Sequence, residues 1–327
     1  DHKDEYSIIG FSTGKGAYGQ YNLTITARKS ILTSIRNRLS SRLHQLFLWE
    51  YEKVDKAASI CINEAGKLDG ISLFSAVNPK DHNVNEFMAY VLTSLREKKS
   101  TTDSALKIMI HLDSYKHWFS SDVEKDEDES ASRPDFLLLE ARDTDDGKLH
   151  LDATIIECKI AGVGNSEEHK EKAFKQVTHG IKRLSTVFDP DSKSIKRRYW
   201  YAQLYRALAF AQVTFSDNTS EFASIAAKLR TVLDGNFDIS WSGKVLGYWI
   251  DMQGDSEVMH TTENASITMY DIPQTVIQKL LLGDSSDVNY VSVSEEVLTT
   301  DEEQTRIIES REKELSKEIK KKKKKEK

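Results

Sequence analysis

Three charged residues stand where the surrounding sequence is apolar. Asp135 opens the run "DFLLLEAR", and Glu157 and Lys159 close the run "ATIIECKIA". Side chains on a strand alternate between faces. That places Ala153, Ile155, Glu157 and Lys159 on one face of the second run, and Thr154, Ile156 and Cys158 on the other. The connecting "DTDDGK" is rich in Asp and Gly and predicts a hairpin turn, which would carry Asp135 towards Glu157. Two close carboxylates repel unless a cation separates them or one takes up a proton. Their oxygens suit Mg²⁺ or Mn²⁺, which bind a few carboxylates and keep positions for water and phosphate. Such an ion polarises a phosphodiester and lowers the pKa of its bound water. A lysine two residues from a metal ligand can orient that water or stabilise the pentacovalent charge. The residue types and their spacing therefore point to metal-assisted phosphodiester hydrolysis.

The elements around these strands read as a mixture of helix and sheet. "EYSIIGFST" and "QYNLTITAR" flank "GKGAYG" as a hairpin, and apolar residues at Ile31, Ile35, Leu39, Leu43 and Leu46 predict one helix over roughly 30 to 55. "INEAGKLDGISLFSAVNPKDHN" reads mostly as connection. Asn85 is a candidate cap for a helix through "EFMAYVLTSLREKK", "ALKIMIHLD" suits a strand, and "SSDVEKDEDESAS" is an acidic solvated loop. "NSEEHKEKAFKQVTHGIKRLSTVF" predicts a helix, "DPDSKSIKRR" a loop, and "YWYAQLYRALAFAQVTF" is apolar but of open type. "EFASIAAKLRTVL" reads as helix, "KVLGYWIDM" and "ASITMYDI" as strands, and "PQTVIQKLLLG" as a short helix with proline at its first turn. The expected class is α/β: a mixed β-sheet core flanked by helices, with an N-terminal β-hairpin and helical addition. The expected domains are 1–83 for that addition, 84–284 for the core, and 285–327 for a charged helical tail or linker.

"RPD" followed by "ECK" resembles the PD-(D/E)xK nuclease superfamily. Pro134 and Asp135 match its PD, and Glu157, Cys158 and Lys159 match its (D/E)xK. The resemblance covers roughly residues 84 to 215 and implies a restriction-endonuclease-like fold and an Mg²⁺- or Mn²⁺-dependent DNA endonuclease. It implies Asp135, Glu157 and Glu86 as metal ligands, with Glu50 the second choice for the upstream helix, and Lys159 as the residue that orients the nucleophile. Gln176 stands where RecB-like members carry a glutamine that contacts substrate or water, but Gly180 stands where a tyrosine usually follows. The arrangement is also similar to nuclease-like segments of phosphorothioation-dependent restriction helicases. That implies DNA and other domains or subunits of a restriction complex as partners.

In addition to the motif, "KSIKRRYWYAQLYR" offers Lys193, Lys196, Arg197 and Arg198 either as phosphate contacts or as a solvated loop, while most of Tyr199, Trp200, Tyr201 and Tyr205 are expected in the core. "GFSTGKG" lacks the spacing of a phosphate-binding loop and reads as a turn. His111, His117, His150, His169 and His179 show no metal-ligand spacing, and surface positions are expected for His169 and His179. Cys158 is expected to be a buried small side chain rather than a nucleophile. The chain has 327 residues, 39% of them hydrophobic, which is enough for a substantial core. Its net charge of −6 excludes a uniformly basic coat but not a local basic groove. Two cysteines without CxxC spacing fit a reducing cytoplasm, and no apolar run reaches the length of a membrane span. The start "DHKDEYSIIG", without Met, is expected of a piece of a longer protein, and the terminal "KKKKKK" suits a polyanion contact, a solvated tail or a linker. The rival to a nuclease is a catalytically silent module of the same fold that binds DNA or assembles subunits. A closed Lys159–Glu157 ion pair without a cleft would favour it.

Overall fold

The computed structural model describes residues 6–13, 22–68, 81–99, 106–119, 133–144, 147–211, 225–283 and 290–293. Strands β1 (Tyr6–Thr13) and β2 (Asn22–Arg28) pair antiparallel as a separate hairpin. Helices α1 (Lys29–Phe47), α2 (Tyr51–Leu68) and α3 (Asp81–Lys99) follow. Next come β3 (Leu106–His111), a 3-10 segment over Leu112–Trp118, β4 (Phe136–Asp143) and β5 (Leu149–Ala161). A short 3-10 turn (Val163–Asn165) and helices α4 (Ser166–Val187) and α5 (Arg197–Ala211) lead to a further 3-10 segment (Leu229–Asp234) and β6 (Phe237–Trp249). Strands β7 (Glu257–Thr261) and β8 (Ile267–Pro273), helix α6 (Gln274–Leu281) and β9 (Tyr290–Val293) complete the described chain.

The sheet is mixed, in the order β3-β4-β5-β6-β8-β7, with the short β9 beside β7. β3, β4 and β5 form an antiparallel meander, β5 to β6 and β6 to β8 are parallel, and β7 to β8 is antiparallel. Antiparallel neighbours need only a turn, whereas the parallel β5–β6 pair needs a crossover, which α4 and α5 supply. Helices cover both faces. Phe136, Leu138, Ile156, Cys158 and Leu246 pack with buried residues of α1, α2, α3 and α6. Leu137, Leu139, Ala153, Ile155 and Val245 pack with those of α4, α5 and the 3-10 segments at Leu112–Trp118 and Leu229–Asp234. A sheet buried on both faces reads as a continuous apolar run, which accounts for "ATIIECKIA" in the central strand β5.

Several expectations need correction. The single helix over 30 to 55 is two helices: α1 ends at Phe47, Leu48 follows with a left-handed φ of 54°, and α2 starts at Tyr51. No Gly or Pro marks that break. α2 also runs on to Leu68, so the stretch from Ile62 to Leu68 is helix rather than connection. Arg197 and Arg198 open α5 instead of ending the preceding loop, and the apolar segment of open type is helical to Ala211. Pro273 is the N-cap of α6, one residue before its first turn. β7 and β9 were not expected at all. Buried residues of α1 and α2 join one hydrophobic core with the sheet. The acidic loop, the "GKGAYG" turn and the C-terminal lysines lie outside the described residues. Among the described residues no helix is long and apolar enough to cross a membrane.

Candidate active site

The register of β4 on β5 pairs Phe136 with Ile156, so one step further along the ladder Asp135 stands opposite Glu157. The two residues are joined directly: the Asp135 backbone N–H donates to Glu157 Oε2 at 3.1 Å. The Asp135 carbonyl accepts from Leu112 N at 2.9 Å, which ties the residue to the end of β3 as well. Its carboxylate turns towards the α3 side of the sheet. Oδ2 accepts from Cys158 N at 2.9 Å and from Cys158 Sγ at 3.2 Å, and Oδ1 lies 3.2 Å from the Tyr90 hydroxyl. That hydroxyl donates to Glu86 Oε1 at 2.8 Å. Glu86 and Tyr90 are one turn apart on α3, so their side chains lie on one helical face. Glu86, Asp135, Glu157 and Lys159 are thus gathered at one end of the sheet, and Lys159 Nζ donates to Glu157 Oε1.

Were the Asp135 and Glu157 carboxyls both ionised, they would outnumber the one ammonium beside them. Glu157 is fully buried and Asp135 is partly buried, with one ammonium between them. Burial raises the Asp135 carboxyl, and the Lys159 ammonium only partly offsets it. Burial, together with repulsion from Asp135, lifts the Glu157 carboxyl well above the ordinary carboxylate range. Burial opposes the charge on Lys159, but Glu157 and Asp135 outweigh it and hold the ammonium above its usual value. A group of hard oxygen donors with surplus negative charge suits a divalent cation in chemistry. The geometry is less complete. Among the described residues no three His, Cys, Asp or Glu side chains converge as a ready cage, and the Tyr90 hydroxyl stands between Glu86 and Asp135.

The other candidate residues fall elsewhere. Gln176 is buried on α4, and its Nε2 donates to the Arg133 carbonyl at 3.1 Å. It therefore holds the segment that presents Asp135. Gly180, one turn on, explains the missing tyrosine: a Cβ there would lie 2.7 Å from Pro134 Cγ and 3.1 Å from Ile155 Cγ2. The helix approaches the segment before β4 so closely that even a methyl there would have to displace Pro134. Glu50 is exposed at the corner between α1 and α2. Lys193, Lys196, Arg197 and Arg198 are exposed near the opposite end of the sheet. Tyr201, four residues past Arg197, packs its ring on Phe237, which pairs with Leu149 at the start of β5. From Leu149 to Glu157 the strand runs about 26 Å at ~3.3 Å per residue. The structure does not bring these cations to the carboxylates. Of the aromatics beside them, Tyr201 is buried, Trp200 and Tyr205 are half-buried against the core, and Tyr199 is exposed.

Two contributors were not foreseen. Tyr90 was legible in principle from its i,i+4 spacing to Glu86. His111 was not, because only the β3–β4 register sets it opposite Phe136. Its ring lies 4.7 Å from that of Tyr90, and its Nε2 is buried without a hydrogen-bond partner. Cys158 faces away from Glu157, as its parity requires, yet touches Asp135. Burial and the two carboxylates push its thiol up, so it is not an activated nucleophile. His179 is exposed and His169 half-buried. No protein-family model matches the chain, and no curated protein or solved structure is detectably similar to it.

Proposed function

We propose that the protein is a metal-dependent DNA endonuclease with a restriction-endonuclease-like core, working within a larger DNA-restriction machine. The observation that carries this reading is the convergence of Asp135, Glu157 and Lys159 at paired strand ends, with Glu86 one hydroxyl away. The α3–β3–β4–β5–α4 order, with an acidic residue on the helix before the motif strands, supports it. Asp135, Glu157 and Glu86 would hold Mg²⁺ or Mn²⁺. When bound, the ion would polarise the phosphodiester and make water acidic enough to attack at neutral pH. Lys159 would release Glu157 and place its ammonium against the developing negative charge on phosphorus. Gln176 and Gly180 would fix Asp135 by clamping the Arg133–Pro134 segment from the α4 side. Tyr90 would hold Glu86 and Asp135 in line.

A second reading is favoured by one observation. The Lys159 ammonium is already closed on Glu157, which suits a silent module that keeps the fold for binding DNA or assembling subunits. Cleavage of supercoiled plasmid and of labelled linear DNA separates the two. Wild type should cut with Mg²⁺ or Mn²⁺ and not in EDTA, and Asp135→Ala and Lys159→Ala should each lose cutting. Metal-dependent cutting retained in both variants would overturn the site. No cutting by any protein, with metal binding also absent, would leave the silent module.

A further inference from the structure

The chain as a whole is acidic, with a net charge of −6, yet one contiguous part of it is strongly basic. Between residues 172 and 211, which cover most of α4, the connecting loop and α5, there are nine lysines and arginines against two aspartates. The cations are arranged rather than scattered. Lys172, Lys175 and Lys182 lie on one helical line, with the His179 side chain between the last two, and all four residues are solvent-facing. Such spacing draws one line along a helix face. The opposite face of α4 is buried through Ala173, Val177, Leu184 and Val187, so the basic line points away from the sheet.

The line has a direction. At the start of α4, Lys170 reaches Asp271, which shares a row of the sheet with Gly247 and Lys159. In its middle, Gly180 meets Pro134 and Ile155. Beyond its end, Pro190 and Tyr201 lie against Gly235, next to the first residues of β6. The helix therefore runs antiparallel to β5, from the carboxylate end to the far end. There Lys193, Lys196, Arg197 and Arg198, all exposed, continue the basic surface, and Arg206 extends it two turns along α5 from Arg198. Ile195 stands in the midst of these cations, fully exposed at 101%. Exposed acidic residues beside these cations are Glu168 and Glu171 at the start of α4 and Asp191 in the loop; Glu171 pairs with Lys175 at 2.6 Å on the surface, and such pairs are weak enough to exchange for phosphate.

We propose that the α4–α5 hairpin is a second, sequence-independent binding surface for the backbone of duplex DNA. It would anchor the duplex along about 26 Å, on the order of eight base pairs at ~3.4 Å each. A duplex fits better than a single strand. Single-strand grooves interleave cations with aromatic stacking platforms, whereas Tyr199 is the one aromatic of this hairpin that is exposed among the described residues. Ile195 would press on the sugars or wedge at a groove edge, as apolar side chains do in minor-groove binders. The inference rests on the preceding reading only for the nature of the polymer, and it does not need cleavage.

The test uses the whole chain with Asp135→Ala, so that cutting cannot intervene. Binding of a fluorescent 30-base-pair duplex is followed by anisotropy from ~50 to ~200 mM salt, beside the same protein carrying Lys182→Gln, Arg197→Gln and Arg198→Gln. Affinity should drop at least about tenfold at the low-salt end, and the log–log salt slope should flatten by roughly two to three, at ~0.9 for each phosphate no longer neutralised. The melting temperature should stay unchanged, because the three residues are at the surface. Parent-like affinity and slope would overturn the hairpin surface while leaving the cleavage proposal intact. Binding of phosphatidylserine vesicles that depends on the same three residues, with no duplex binding, would also overturn it. Hairpin-dependent binding by a wild-type protein that never cuts would uphold it and tell against the nuclease.

Discussion

Two clusters of buried charge lie under α3, and they are built to opposite rules. Near the C-terminal end of that helix, Arg96 forks onto Glu257 with distances of 2.8 to 3.1 Å and also reaches Glu97, while Lys244 donates to the other Glu97 oxygen at 2.8 Å. Two cations meet two carboxylates, and the Arg96 guanidinium lies 4.4 Å over the Tyr270 ring. Burial would raise the Glu97 carboxyl, but Lys244 and Arg96 outweigh it and hold it below its ordinary value. Towards the N-terminal end, Asp135 and Glu157 share one ammonium, Glu86 stands one hydroxyl away, and both Asp135 and Glu157 are pushed up. The first cluster is complete in itself and fastens α3 to β6 and β7. The second, with its carboxyls ionised, would set them against a single ammonium, the imbalance that the proposed divalent cation would offset.

The comparison predicts opposite responses to one substitution. Glu97→Gln should leave Arg96 and Lys244 under-compensated and destabilise the fold by about 3 kcal/mol, read as a lower urea midpoint. Glu157→Gln should be neutral or stabilising by up to about 1 kcal/mol in EDTA, since it removes half of a repelling pair. Equal losses in the two variants would erase the distinction.

Next in size is Gly180→Ala, which forces a methyl against Pro134 and should cost about 1–3 kcal/mol. It should also displace Asp135, so any cleavage should fall by more than the stability loss accounts for.

The pH dependence separates the clusters again. Folded Glu157 keeps its proton where the unfolded chain has released it, so this site costs stability as pH rises above the ordinary carboxylate range of ~4.3. Glu97 is shifted the other way, and its contribution is lost only as pH falls through its lowered value. Melting curves in EDTA should therefore show the advantage of Glu157→Gln over wild type growing from pH 5 to pH 8. A constant or shrinking difference would contradict the assignment.

The smallest effect is expected at Tyr90. Its one hydroxyl hydrogen serves two carboxylates, and Tyr90→Phe should cost about 1 kcal/mol and weaken Mn²⁺ binding several-fold. Unchanged Mn²⁺ affinity would reduce Tyr90 to a packing role.

How much of this was legible in the sequence differs by element. Strand parity placed Glu157 and Lys159 on one face, and the Asp-rich turn brought Asp135 opposite, because period and turn chemistry are local properties. The break at Leu48 was hidden, since a leucine there carries no left-handed signal and tertiary packing sets the corner. The basic loop suggested phosphate contacts without fixing their place, and only the antiparallel course of α4 along β5 puts them at the far end of the sheet. His111 likewise enters through strand register. The carboxylates came from spacing, and their neighbours came from packing between distant segments.

The central claim is that the Asp135–Glu157 cluster is short of one divalent cation. Mn²⁺ binding to the DNA-free protein, followed by electron paramagnetic resonance and calorimetry at pH 7.5, tests it directly. The account predicts saturable binding to wild type, lost in Asp135→Ala and in Glu157→Gln and kept in Glu97→Gln. Absent binding, or binding that survives Asp135→Ala and Glu157→Gln, would contradict it.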